Sequence, residues 1–305
     1  MPPSSHSEIA QGLRQRPAHI SPKYFYDPRG SRLFEQITRL PEYYLTRTEQ
    51  ALMQQHADDI ARVLGPGRTL IELGAGNCAK ARALCRVVRP ARFVGVDISS
   101  EFLHESVQCL HEEFPELDAR AIGGDLTQGV ALPPDIPRAG RLVFYPGSSI
   151  GNFDPPHALA LLEHMRALID DDGGLLIGID LPKERSLLEA AYDDAAGVTA
   201  AFNRNVLSHV NRLIGSDFEP DAWGHRAFFN TDASRIEMHL EALAPAQVRW
   251  PGGARDFERG ERIHTENSYK YPLTAFTALL ARAGFARAQA WTDERGWFAV
   301  VYARP

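Results

Sequence analysis

Three acids and a pair of glycines set the first chemical expectation. In Leu70-Ile71-Glu72-Leu73-Gly74-Ala75-Gly76-Asn77-Cys78-Ala79-Lys80 an apolar run ends at two glycines, and a helix-like stretch follows. Glycines placed there let backbone approach a ligand closely and supply positive φ, while the first helical turn offers unpaired N–H groups. Gly-x-Gly alone is shared by structural turns and dinucleotide sites. Glu72 is a charge in an apolar strand, which is costly unless solvated or paired. Asp97 closes the next apolar run, where a carboxylate can accept from both hydroxyls of a ribose. Asp125, in Gly123-Gly124-Asp125-Leu126, follows a third run at the height of an adenine amino group. Each acid taken alone is equally compatible with a helix cap or a turn. Three of them at consecutive strand ends favour S-adenosylmethionine over NAD. Lys80, one turn into the helix, is either a solvated charge or the partner of a cofactor carboxylate.

These residues need an alternating framework to hold them. Thr69 to Leu73 reads as a buried strand, Ala79 to Val88 as a helix, and Arg92 to Asp97, Ala119 to Ile122, Arg141 to Tyr145 and Gly174 to Asp180 as further strands. A helix from about Pro156 to Ile169 fits between the last two. Strands alternating with helices predict a parallel, doubly wound sheet with ligands at the carboxyl ends of its strands. Upstream, Leu33 to Val63 fits helices interrupted at Pro41, and residues 1 to 20 read as a partly ordered leader. After Leu181 the alternation stops for roughly ninety residues, long enough for a small subdomain. Helix signals span Leu187 to Leu213, and strands are expected near Arg226 to Asn230, Arg235 to Ala242 and Ala246 to Arg249. The α/β pattern resumes with a helix over Leu273 to Ala283, stopped by Gly284, and strands over Ala286 to Trp291 and Trp297 to Ala303. The expected organisation is an N-terminal helical segment over 1–56, a Rossmann-like domain over 57–190 with 272–305, and an inserted domain over 191–271.

Composition narrows the partners. With 305 residues, 44% hydrophobic and 24% charged, the chain has the balance of an ordinary globular protein with a sizeable core. A formal charge of -6 without long runs of one sign leaves no basic stripe for a phosphate backbone, so nucleic acid is not an expected partner. Three cysteines without regular spacing are neither a disulfide framework nor a zinc site, and fit reduced thiols in a cytoplasmic protein. The polar stretch from Met1 to Arg16 lacks the apolar core of a signal peptide, and no apolar run of spanning length occurs. No membrane partner is expected, and the chain is expected to act as a monomer.

Longer runs carry a more specific signal. They are Tyr24-Phe25-Tyr26-Asp27, Leu40-Pro41-Glu42-Tyr43-Tyr44 with Thr46-Arg47-Thr48-Glu49, and Gly147-Ser148-Ser149-Ile150-Gly151-Asn152. Two more are the stretch from Ala191-Tyr192-Asp193-Asp194 through Phe202-Asn203-Arg204-Asn205, and Thr265-Glu266-Asn267-Ser268 before Lys270. With these runs the chain resembles the histidine Nα-methyltransferases of ergothioneine biosynthesis, from about Pro22 to its C-terminus. The resemblance implies a class I methyltransferase fold: a Rossmann-like, doubly wound α/β sheet with a smaller α+β substrate-binding domain inserted before the last helix and hairpin. It implies S-adenosyl-L-methionine as donor, S-adenosyl-L-homocysteine as product, free L-histidine as acceptor, hercynine as final product, and no metal. By the same resemblance Gly74, Lys80, Asp97, Asp125 and Leu126 fall on cofactor-binding positions, and Glu72, Gly76 and Gly147 complete the expected set. Tyr43, Asn152, Tyr192, Glu266 and Ser268 fall on substrate-binding positions, joined by Asn267, with Met238 beside the ring and Tyr26 as the catalytic residue near the amine.

Residue chemistry suits those roles: an amide and a phenol can hold a zwitterion's carboxylate, and a carboxylate with a hydroxyl can address both imidazole nitrogens. Glu266 argues against tryptophan as acceptor, because an indole has one donor and no ring acceptor. A non-catalytic cofactor-binding module and an NAD-linked oxidoreductase are the readings from other classes. The chain departs from the family at Asn77-Cys78-Ala79, where members carry a hydroxyl-rich stretch with an acid before the lysine. No catalytic role is expected for Cys78.

Overall fold

A computed structural model describes residues 5–126 and 129–305. The chain begins with α1 (Ser5–Arg14), β1 (Ala18–His19) and α2 (Pro28–Ile37). Next come α3 (Tyr44–Gln55), α4 (Ala57–Leu64), β2 (Thr69–Leu73), α5 (Ala79–Val88), β3 (Arg92–Asp97), α6 (Ser100–Glu113) and β4 (Asp118–Gly123). They are followed by β5 (Arg141–Tyr145), α7 (Pro155–Leu168), β6 (Gly174–Asp180), α8 (Arg185–Ala190) and α9 (Val198–Ile214). Strands β7 (Trp223–Asn230), β8 (Arg235–Ala242), β9 (Ala246–Trp250), β10 (Gly253–Phe257) and β11 (Arg262–Tyr269) precede α10 (Leu273–Arg282), β12 (Arg287–Thr292) and β13 (Phe298–Arg304). These elements group into two compact units.

One unit, Leu45–Pro182 with Tyr269–Pro305, is built on a seven-stranded sheet of order β12-β13-β6-β5-β2-β3-β4. The pairs among β2 to β6 are parallel, whereas β13 runs antiparallel to both β6 and β12. Both faces of the sheet are covered, because successive side chains of a strand point opposite ways. Ile71, Val94, Val143 and Ile177 join an apolar cluster with α7 and α10, whereas Leu70, Phe93, Leu142 and Leu176 join one with α5 and α6. Strong hydrophobicity on both faces is why these strands read as continuous apolar runs.

The other unit, Met1–Tyr44 with Lys183–Ser268, carries a four-stranded sheet of order β1-β11-β8-β7 and a two-stranded β9-β10 ribbon. The expected boundaries are therefore revised: residues 1–44 cluster with 183–268 instead of forming a separate helical segment, and the breaks fall at 45, 183 and 269. The leader is also corrected. Residues 1–4 lie outside the described residues, but Ser5–Arg14 is a helix that buries Ile9, Ala10 and Leu13. Arg255 of β10 donates to the carbonyls of Leu13 and Gln15 at its end.

The stretch expected as helix over Leu187 to Leu213 is two helices. Asp194 separates them by accepting from the backbone N–H groups of Val198 (2.9 Å) and Thr199 (2.7 Å), which caps α9. Asp27 caps α2 in the same way, from Gly30 N–H at 2.7 Å, with Pro28 at the first helical position. Its carboxylate also takes Asn205 Nδ2 at 2.7 Å and Arg212, so α9 is tied to the start of α2.

Candidate functional site

At the carboxyl end of the seven-stranded sheet, Gly74 and Gly76 have φ of +71° and +50°, and a Cβ at either would meet nothing within 4 Å. The turn is thus both left-handed and open on the side where a ligand would approach. Gly74 and Ala75 N–H groups donate to Val96 O, at 2.8 and 3.1 Å, which pins the turn to β3. Asp97 spends one oxygen on Gly76 N–H and the other on Ser99 N–H, each at 2.9 Å. A carboxylate has about four lone-pair positions, so acceptor capacity remains after both bonds. Gly124 N–H donates to Asp97 O at 3.0 Å, bringing the loop with half-buried Asp125 and Leu126 against the loop after β3.

Glu72 is 1% exposed, and its Oε2 has no hydrogen-bond partner. Burial pushes its carboxyl well above the ordinary range; Lys80 opposes this, while Glu49 and Asp97 add to it. Lys80 Nζ donates to Glu49 Oε2 at 2.6 Å. The same Glu49 carboxylate accepts the N–H of Gly147, at 2.8 and 3.1 Å to its two oxygens. Gly147 has φ +81°, and a Cβ there would lie 2.7 Å from Lys80 Nζ. Sequence patterning assigns Glu49 no role, and the signal that points to it is its place in the Thr46 to Glu49 run. Cys78 is buried, in the left-handed region at φ 55°, and burial raises its thiol far above the ordinary range, which keeps it un-ionised.

In the four-stranded unit, aromatic contacts link the tyrosines. The Tyr26 ring meets Phe34 edge-on at 5.8 Å, Phe34 meets Tyr43 at 6.3 Å, and Tyr43 meets Tyr192 at 6.2 Å. Tyr192 OH and Ser268 Oγ share a hydrogen bond of 2.7 Å. Glu266, 9% exposed, lies two residues before Ser268 on β11. Asn267 is half-buried, with an Oδ1 that has no hydrogen-bond partner. Met238 is buried on β8, and its carbonyl accepts from Thr265 Oγ1 at 3.0 Å. The contacts therefore join Tyr26, Tyr43, Tyr192 and Ser268 in one path. Asn152 is not on that path, since it ends a short helical turn, Ser149–Asn152, of the seven-stranded unit.

Comparison with known proteins adds a family to this geometry. Residues 5–305 match the family described as histidine-specific, S-adenosylmethionine-dependent methyltransferases. The histidine N-alpha-methyltransferase of Mycolicibacterium smegmatis is 40% identical over 302 residues, covering 97% of this chain and 93% of that protein. Ergothioneine biosynthesis protein 1 of Schizosaccharomyces pombe is 29% identical over 279 residues, covering 87% of this chain and 36% of that protein. Among solved structures, an S-adenosylmethionine-dependent methyltransferase from Clostridium acetobutylicum matches with a TM-score of 0.50 at 10% identity, covering 90% of this chain and 97% of that one. At that identity the likeness shows the fold alone, a class I methyltransferase α/β sheet.

Proposed function

The chain belongs to the family of histidine-specific, S-adenosylmethionine-dependent methyltransferases, and from that premise we propose that it methylates the α-amine of free L-histidine three times, giving hercynine for ergothioneine biosynthesis. The name of the fission-yeast relative supports the pathway. The observation that carries the acceptor is the Tyr192 to Ser268 bond with Glu266 two residues away on the same strand. A carboxylate and a hydroxyl on one strand suit the two nitrogens of an imidazole, one a donor and one an acceptor.

The cofactor fits the seven-stranded unit on two counts: open space at Gly74 and Gly76, and a buried Glu72 oxygen with no hydrogen-bond partner. When bound, S-adenosylmethionine supplies a sulfonium methyl that is already activated. Asp97 has capacity left for ribose hydroxyls, Asp125 and Leu126 are assigned to the adenine, and Glu72 and Lys80 to the amino-acid end. Tyr43 and Tyr192 hold the histidine zwitterion, Glu266 and Ser268 its ring, and Tyr26 orients the amine. The transfer itself calls for alignment and a neutral amine, not for a metal. Alignment of this kind supplies up to roughly 7–11 kcal/mol in favourable intramolecular cases.

We place the reaction in the cytoplasm, on a free small molecule, with the chain acting as a monomer. The charge of -6 supports leaving nucleic acid out. Among the described residues no helix is long and apolar enough to cross a membrane. The test is mass spectrometry of products from a panel of free amino acids with an isotopically labelled methyl donor. Three labelled methyls on histidine are expected; label on tryptophan and none on histidine would overturn the acceptor.

A further inference from the structure

Glu237 and His239 sit two residues apart on β8, hence on one face of the four-stranded sheet, and His264 lies on the neighbouring strand β11. One ligating atom from each falls within 4.8 Å of the other two. Glu237 Oε1 takes three donors: Asn230 Nδ2 at 2.9 Å, and Arg235 Nε and Nη2 at 2.8 and 2.6 Å. That leaves Oε2 turned to His239 Nε2, at 3.0 Å. His239 stacks on Phe228, with ring centroids 5.3 Å apart, and its Nδ1 is buried with no hydrogen-bond partner. His264 Nε2 lies 3.0 Å from the carbonyl of Glu266, so donation there leaves Nδ1 with the lone pair. A ring nitrogen donating to a backbone carbonyl while its other nitrogen stays basic is the arrangement that metal-ligating histidines use.

We propose that Glu237, His239 and His264 form a binding site for one divalent transition-metal ion of the zinc class, which clamps β8 to β11. The donor set selects the ion. Two imidazoles and one carboxylate suit zinc, whereas calcium and magnesium seek six or more oxygens. Arg235 engages only Oε1 of the carboxylate, which leaves Oε2 for the ion. Tetrahedral bonds of about 2.0–2.1 Å put ligand atoms about 3.3 Å apart, so the set must close by no more than roughly 1.5 Å, within reach of a side-chain rotation. Three protein ligands leave a fourth position for water. None of the three residues is given a part in methyl transfer, so the proposal stands whether or not the acceptor is histidine.

The experiment uses the full chain without an affinity tag, stripped with a chelator and titrated with zinc chloride by calorimetry. Cobalt(II) absorption spectra give a second readout of coordination geometry. One ion per chain is expected, with tetrahedral cobalt bands. His264→Ala and His239→Gln are expected to bind at least about tenfold more weakly, with unchanged far-ultraviolet circular dichroism. The proposal is overturned if the unaltered chain takes up no zinc, or if either folded variant binds it as tightly. Should one variant fail to fold, the other and Glu237→Gln decide by the same measure.

Discussion

The carboxylate of Glu49 accepts the Lys80 ammonium at 2.6 Å while also taking the backbone N–H of Gly147. One buried acid on α3 thereby ties the first turn of α5 to the turn after β5. Gly178 on β6 makes room for it, since a Cβ there would lie 2.1 Å from Glu49 Oε1. Lys80 is thus aimed by Glu49, so that in the site we propose the amino-acid end of the cofactor meets a lysine already oriented.

Glu49→Ala should loosen both turns at once. Breaking a fully buried pair costs about 3–5 kcal/mol, but Lys80 is 34% exposed, so the expected loss is nearer about 1–2 kcal/mol. Affinity for S-adenosylhomocysteine should fall about tenfold, equivalent to about 1.4 kcal/mol, with KM for histidine changed less. Gly178→Ala should reproduce the effect through displacement of the carboxylate. Calorimetry on both variants checks this, and unchanged cofactor affinity in either would remove the positioning role.

Much of the seven-stranded unit is legible because its central strands β2, β3, β5 and β6 are buried on both faces and read as apolar runs. β11 is not. Its buried positions include Thr265, Glu266 and Ser268, whose burial is made tolerable by bonds such as Thr265 Oγ1 to Asn203 Oδ1 at 2.8 Å. Hydrogen bonding replaced the apolar alternation that sequence patterning detects. α1 escaped notice because only Ile9, Ala10 and Leu13 mark its buried side, too few to establish a period. The grouping of 1–44 with 183–268 joins segments far apart in the chain, which no local period encodes. Asp97 was anticipated as a ligand or a cap, and it does spend both oxygens on backbone before any ligand arrives.

Glu72 predicts a pH dependence with a definite sign. Its carboxyl is raised in the folded protein above the ordinary 4.5, chiefly by burial, so the folded state holds the proton more tightly than the unfolded chain. The associated stability is complete below about pH 4.5 and is lost as pH climbs through the raised value. Glu72→Gln should therefore show a shallower decline in urea midpoint over that window. If Glu72 meets the cofactor's ammonium, S-adenosylhomocysteine binding should release a proton wherever the raised carboxyl still holds one in the free protein. Calorimetry in buffers of different ionisation enthalpy would show this, and Glu72→Gln should abolish it.

Lys270 and Asp180 form a pair at 2.7 Å with both side chains 0% exposed. Removing one partner strands a buried charge. Lys270→Met alone should cost about 3–5 kcal/mol, whereas Lys270→Met with Asp180→Leu should recover most of it. Urea unfolding of the three variants measures the difference. Equal losses in single and double variants would show that packing at these positions, not charge pairing, sets the stability.

The Tyr192 to Ser268 hydrogen bond makes a prediction that separates structure from recognition. If the two hydroxyls act together on the histidine substrate, Ser268→Ala and Tyr192→Phe should each raise KM for histidine about tenfold, and the double variant should do little more, as expected for residues in one network. Cofactor affinity, which we assign to groups in the seven-stranded unit, should stay within about twofold, well under the about 1.4 kcal/mol of a tenfold change. Glu266→Gln keeps the shape while removing the charge, so it should raise KM for histidine without altering S-adenosylhomocysteine binding. Additive effects of the two hydroxyl changes, or equal losses of cofactor and histidine affinity in Glu266→Gln, would assign these residues to holding β11 in place and not to reading the imidazole.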